Sequence, residues 1–226
     1  MDLGRRFWVI GALSLAPAVA NSFARFAYAL LLPAMRAELG LSYSQAGSLN
    51  TANALGYLVG ALLAAACVSR VGNRRLFCIG MVVTVLALVG SGLAGGFVAQ
   101  LCLRAIAGVG GAMVFLCGAV LASNVFPDRP DLSAAATAVY FGGAGAGILL
   151  SGAGIPWLLA VAGDDAWRGA WLAIGGISAL LPSWASGPRT GSGNRRAERE
   201  RAHGKRAHSV QRSAVISCSA PATSPT

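Results

Sequence analysis

Five long apolar runs dominate the chain: Phe7 to Leu32, Gln45 to Val68, Leu76 to Gly95, Phe97 to Leu121 and Ser133 to Ala162. A sixth, Trp167 to Trp184, is shorter and contains Pro182. A helix needs about 20 residues to cross about 30 Å of hydrocarbon, and each run is near or above that length. With 55% hydrophobic residues and a mean hydropathy of +0.63, the chain has more apolar surface than a water-soluble domain can bury. The reading is an all-α integral membrane protein with six transmembrane helices, about residues 7–32, 45–68, 76–95, 97–121, 133–162 and 167–184, in one domain over residues 1–184.

Arg5 and Arg6 ahead of FWVIGALSLAPAVA also suit a signal peptide, but the apolar face continues past Ala20 to Leu32. A helix of that length exceeds what a leader needs, so the arginine pair reads as a topological anchor. Arg5, Arg6, Arg70, Arg74, Arg75 and Arg129 fall on the N-terminal side of the membrane, with eight more Lys and Arg in the tail. Only Arg36 and Arg168 fall on the other side. By the positive-inside rule both termini are expected in the cytoplasm.

Cys67, Cys78, Cys102 and Cys117 lie in or at the ends of apolar runs, in no CxxC spacing, and small apolar packing is their expected role. With no His or Lys before Gly187 there is no metal-ligand set, and no Ser–His or Cys–His pair falls in the membrane part. The expectation is no enzyme, no cofactor and no metal. After Trp184 the composition changes: residues 185–226 hold no Leu, Phe, Tyr, Trp or Met. Such a segment cannot build a core, and it reads as a disordered basic tail near anionic headgroups. Its RRAERERAHGKR stretch lacks interleaved aromatics, which argues against nucleic acid as a partner. Arg, Ala, Ser, Gly and Pro are residues of GC-rich codons in any frame, and this composition favours a shifted reading frame or a truncation near residue 182.

Two stretches resemble signatures of the major facilitator superfamily (MFS). CVSRVGNRR matches the loop signature at Arg70, Gly72, Arg74 and Arg75, with Ala65 in place of its Gly and Ser69 in place of its Asp. LRAIAGVGGAM matches the fourth-helix signature at Arg104, Gly108, Gly110 and Ala112. With NSFARFAYALLLPAM and Trp167-Arg168-Gly-Ala-Trp171, the chain resembles a YbfB/YjiJ-like bacterial permease over roughly residues 5–182. The resemblance implies the N-terminal six-helix half of an MFS fold, a 3+3 inverted repeat, in the bacterial inner membrane. It also implies a gating loop at Ser69, Arg70, Gly72, Arg74 and Arg75, in which the missing Asp weakens the family's charge network. YFGGAGAGILLSG has the glycines of the family's antiporter signature without its proline, so antiport is not inferred.

Arginine inside a span costs roughly 2.5–3.5 kcal/mol at the helix centre, so neither Arg25 nor Arg104 is expected to face lipid. Each lies about seven residues from the outer end of its run, which puts both ~10 Å deep, facing one wet cavity. Helical spacing adds Asn21 and Tyr28 to the face of Arg25, and groups Asn50, Asn53 and Tyr57 on the second helix. No Asp or Glu lies within the six spans, so these cations point to an anionic group on a small solute. Bonds from the arginines to backbone carbonyls and to Asn53 are the structural alternative. Gly56/Gly60, Gly92/Gly96 and Gly143/Gly147 are small-xxx-small pairs for close helix packing, and neither they nor GVGGAM follow a strand as a dinucleotide loop would. Two functions follow: a secondary transporter of a small solute by alternating access, completed by a second six-helix half or as a homodimer, or a non-transporting truncated remnant or membrane assembly partner.

Overall fold

The computed structural model describes residues 3–127 and 129–180, and within them the chain is helical with no strand. The first helix, α1, is continuous from Leu3 to Leu39 and has three parts: α-helix over Leu3–Pro17, π-helix over Ala18–Phe26, and α-helix over Ala27–Leu39. It is followed by α2 (Tyr43–Val71), α3 (Asn73–Leu93), α4 (Phe97–Ser123), α5 (Pro130–Ala162) and, after a 3-10 turn at Asp164–Ala166, α6 (Trp167–Leu180). Among the described residues, five helices are long and apolar enough to cross a membrane. The sixth is described for 14 residues. Residues 181–184 of the sixth run and the whole tail lie outside the described residues.

Polar end turns extend α1 and α2 past both ends of their apolar runs, whereas α3 stops at Leu93, short of Gly95. Local signals set the ends. Gly40 takes the left-handed conformation (φ 61°) that closes α1, and Ser42 and Gln45 form a reciprocal capping box that opens α2. Gly72, at φ 86°, makes the reversal between α2 and α3 within one residue, a conformation that side chains resist.

Glycines set the packing. A Cβ at Gly56 or Gly60 of α2 would collide with the backbone of Ala105 or Val109 on α4, and one at Gly108 with the backbone of Asn53 and Tyr57. Gly143 of α5 lies against the Ser14 carbonyl and Gly147 against Ala18 and Ser22, which draws α5 onto α1. Gly111 of α4 faces the Ala20 carbonyl of α1. Gly92 packs on Arg168 and Leu172, whereas Gly96 has nothing near it, so the Gly92/Gly96 pair expected from spacing acts through Gly92 alone. Of the membrane cysteines expected to pack, Cys117 is buried and Cys67 half-buried, but Cys78 and Cys102 are exposed.

Burial separates the helices into two kinds. Half of the central window of α1, α3 and α4 is buried, against 17% for α2 and 22% for α5. α2 rests on α4 and α5 on α1, and each leaves a broad apolar face bare: Leu55, Leu58 and Leu62 on α2, Leu149, Leu150 and Trp157 on α5.

Candidate functional site

Arg104 is the most constrained polar side chain in the bundle. It projects from α4 and is 1% exposed. Its guanidinium carbon lies over the rings of Tyr28 (4.7 Å) and Trp171 (4.3 Å), and its Nη1 donates to the Ala24 carbonyl of α1 at 3.0 Å. Nε and Nη2 are buried and have no hydrogen-bond partner. The small residues of the fourth helix allow this. Gly108 and Gly111 bring α2 and α1 close enough for the guanidinium to reach the α1 backbone.

The expected site residues fall into two groups. Tyr28 and Asn53 join Arg104: the Tyr28 hydroxyl donates to the Ala46 carbonyl at 2.9 Å, and the Asn53 amide donates to the backbone carbonyl of Arg104 itself at 3.0 Å. Arg25 is exposed and sits over the ring of Tyr57, 5.8 Å from its centroid. Asn21 is half-buried on α1 and Asn50 is exposed on α2. Arg104 reaches the carbonyl of Ala24, the residue preceding Arg25. The expected single open cavity is not seen in this conformation: Arg104 turns into the packed side of α1 and Arg25 away from it.

The reason is the π segment. The shared face of Asn21, Arg25 and Tyr28 assumes 3.6 residues per turn, and Ala18–Phe26 is wound with the wider i→i+5 repeat. Tyr28, beyond that segment, is therefore buried while Arg25 is exposed. Ser22 lies on the buried side and donates to the Ala144 carbonyl of α5 at 2.6 Å.

The bonds around Arg104 match the structural alternative in part, since one amino group is spent on a carbonyl and Asn53 is tied to the backbone. They leave the other edge of the guanidinium unexplained. Two further residues escape a reading from spacing. Gln100, one turn before Arg104, is fully buried and donates to the carbonyls of Ser91 (2.7 Å) and Ala94 (3.1 Å). Trp171 covers the guanidinium from α6. A lone Gln four residues from an Arg in an apolar span was the available signal for the first; for Trp171 no pattern in the sequence gives the contact.

At the opposite end from Gly72, Glu38 accepts from Arg168 Nε at 3.0 Å and Nη2 at 2.9 Å, and from the Trp167 indole N–H, which ties the end of α1 to the start of α6. The expected gating residues Ser69, Arg70, Gly72, Arg74 and Arg75 lie at the α2–α3 reversal. Among the described residues no group of His, Cys, Asp and Glu is arranged to hold a metal ion.

A family model described as "Uncharacterised MFS-type transporter YbfB" matches residues 17–217. "Uncharacterized MFS-type transporter YcaD" from Escherichia coli O139:H28 (strain E24377A / ETEC) is 33% identical over 140 residues, 61% of this chain and 35% of that relative. The protein of the same name from Escherichia coli O9:H4 (strain HS) matches with the same identity and coverage. The chain thus spans about a third of the length of these relatives, 35%.

Proposed function

The chain belongs to the major facilitator superfamily, through its family of MFS-type transporters, and from that premise we propose that it carries a small anionic solute across the membrane by alternating access. A multi-pass membrane protein with a transport role is the class of function the family gives it. The observation that carries the anionic reading is a guanidinium on each of α1 and α4, with no Asp or Glu among the described residues inside the apolar runs.

Arg25 is the group free to meet a solute, since its only described contact is the ring of Tyr57. Asn21, Asn50 and Tyr57 offer neutral hydrogen-bonding groups for the rest of the ligand, while Tyr28 and Asn53 fix Arg104 behind it. Alternating access needs a second bundle to rock against, and the bare faces of α2 and α5 suit a second six-helix half or a second copy of this chain. The reversal at Arg70, Gly72, Arg74 and Arg75, with Ser69 beside it, is the proposed gate, on the cytoplasmic side together with both termini. The bacterial inner membrane is the proposed location.

The test is uptake of labelled small carboxylates and of inorganic phosphate into proteoliposomes carrying the full chain, alone and co-expressed with a second six-helix half. Arg25→Lys and Arg104→Lys keep the charge and lose the planar fork, so both should insert normally and take up less anion. Unchanged uptake with both substitutions present, or collapse of expression from either alone, would reject the binding role.

A further inference from the structure

Four buried polar atoms lack a hydrogen-bond partner among the described residues, and they sit on two helices that meet at one side chain: Gln100 Oε1, Arg104 Nε, Arg104 Nη2 and Trp171 Nε1. Buried polar groups are nearly always satisfied, so such a set requires a cause. We propose that the unpartnered edge of Arg104, with the Trp171 N–H and the Gln100 carbonyl, is an occluded subsite for a carboxylate that carries a neighbouring hydroxyl. This rests on the transport reading above and specifies the class of its solute.

The chemistry follows from which atoms are spoken for. The rings of Tyr28 and Trp171 lie against the guanidinium, and Nη1 is held by the Ala24 carbonyl. What remains is the Nε–Nη2 edge, two parallel N–H groups whose spacing matches the two oxygens of a carboxylate. Trp171 Nε1 is a third donor in need of an acceptor. The guanidinium also needs a counter-charge at this depth, and the apolar runs of the described residues supply none.

Gln100 adds the selectivity. It lies four residues before Arg104, hence on the same face of α4, and its Nε2 is fixed by two carbonyls, which leaves Oε1 asking for a donor. A carboxylate alone cannot supply one. A hydroxyl on the adjacent carbon can, and an ammonium there would be repelled by Arg104. In the described conformation the edge is closed over, so filling it requires α6 to move off α1. α6 packs chiefly on α3, and Glu38 joins it to α1 at the outer end.

The test is thermal stabilisation of the full chain in nanodiscs by lactate, propionate and lactamide. Lactate should stabilise saturably, propionate about tenfold more weakly, and lactamide not at all. Gln100→Met should bring lactate down to the level of propionate while leaving propionate unchanged, and Arg104→Lys should weaken both acids. Equal stabilisation by all three compounds, or by none up to about 100 mM, which would mean buried water only, overturns the assignment. Arg25→Gln separates the two readings. Lost uptake with the lactate response retained supports a subsite distinct from Arg25; uptake with no preference for lactate sinks the subsite and leaves transport standing.

Discussion

Arg25 and Arg104 have opposite surroundings, and only one of those surroundings was legible in the sequence. For Arg104 the rule that a cation in an apolar span must turn inward is enough, and the structure buries it at 1% exposure. For Arg25 the same rule needs a helical phase, and the nine-residue π segment changes that phase. No residue type marks the segment, although Pro17, which cannot donate a backbone bond, immediately precedes it. Tyr28 carries two separable interactions. Tyr28→Phe keeps the ring against Arg104 and removes only the bond to the Ala46 carbonyl, a loss of about 1 kcal/mol. Tyr28→Leu also removes the cation–π contact, a further ~0.5–2 kcal/mol. Melting temperatures in nanodiscs should therefore fall in the order wild type, Phe, Leu; equal values for all three would deny the ring a stabilising part.

Spans and reversals were readable because length and hydropathy act on whole helices, whereas contacts between helices depend on rotations that no short pattern fixes. The Gly56/Gly60 and Gly143/Gly147 pairs did announce close approaches, and so did Gly108 in the fourth-helix cluster. Gly96 did not, since it caps α4 instead of lying inside a helix face. The α2–α4 contact offers the sharpest test of this packing. A Cβ at Gly108 would sit 2.7 Å from the Tyr57 backbone nitrogen, so Gly108→Ala must push two backbones apart. The expected cost is about 1–3 kcal/mol, read as a lower melting temperature, while Gly145→Ala, with open space beside it, should be neutral. Equal effects at the two positions would mean that α2 and α4 are not in such close contact. The link between α1 and α6 is weaker by nature. Glu38 and Arg168 are about a third exposed, with relative side-chain areas of 36% and 34%, so Glu38→Gln should leave the melting temperature nearly unchanged.

At the scale of the molecule, alternation of the helices places the Arg70–Arg75 reversal and Arg129 at one end and Glu38, Asp164, Asp165 and Arg168 at the other. By the positive-inside rule the first end is the one proposed to face the cytoplasm. In a background free of native cysteines, an impermeant thiol reagent on intact cells should label a cysteine at position 38 and spare one at position 73; the reverse pattern would invert the topology. α2 and α5 flank the bundle with apolar faces that α1, α3 and α4 do not cover, an arrangement that suits a moving pair of bundles and that hydropathy alone cannot distinguish from contact with lipid. The central claim is that this bundle moves an anion past Arg25. Its most direct measurement is the charge displaced when proteoliposomes on a solid-supported membrane are switched from chloride to small carboxylates. The expected result is a transient, carboxylate-dependent current that Arg25→Gln abolishes and Arg36→Gln preserves. Currents of equal size in the wild type and Arg25→Gln, or none with any carboxylate when a second six-helix half is present, would contradict it.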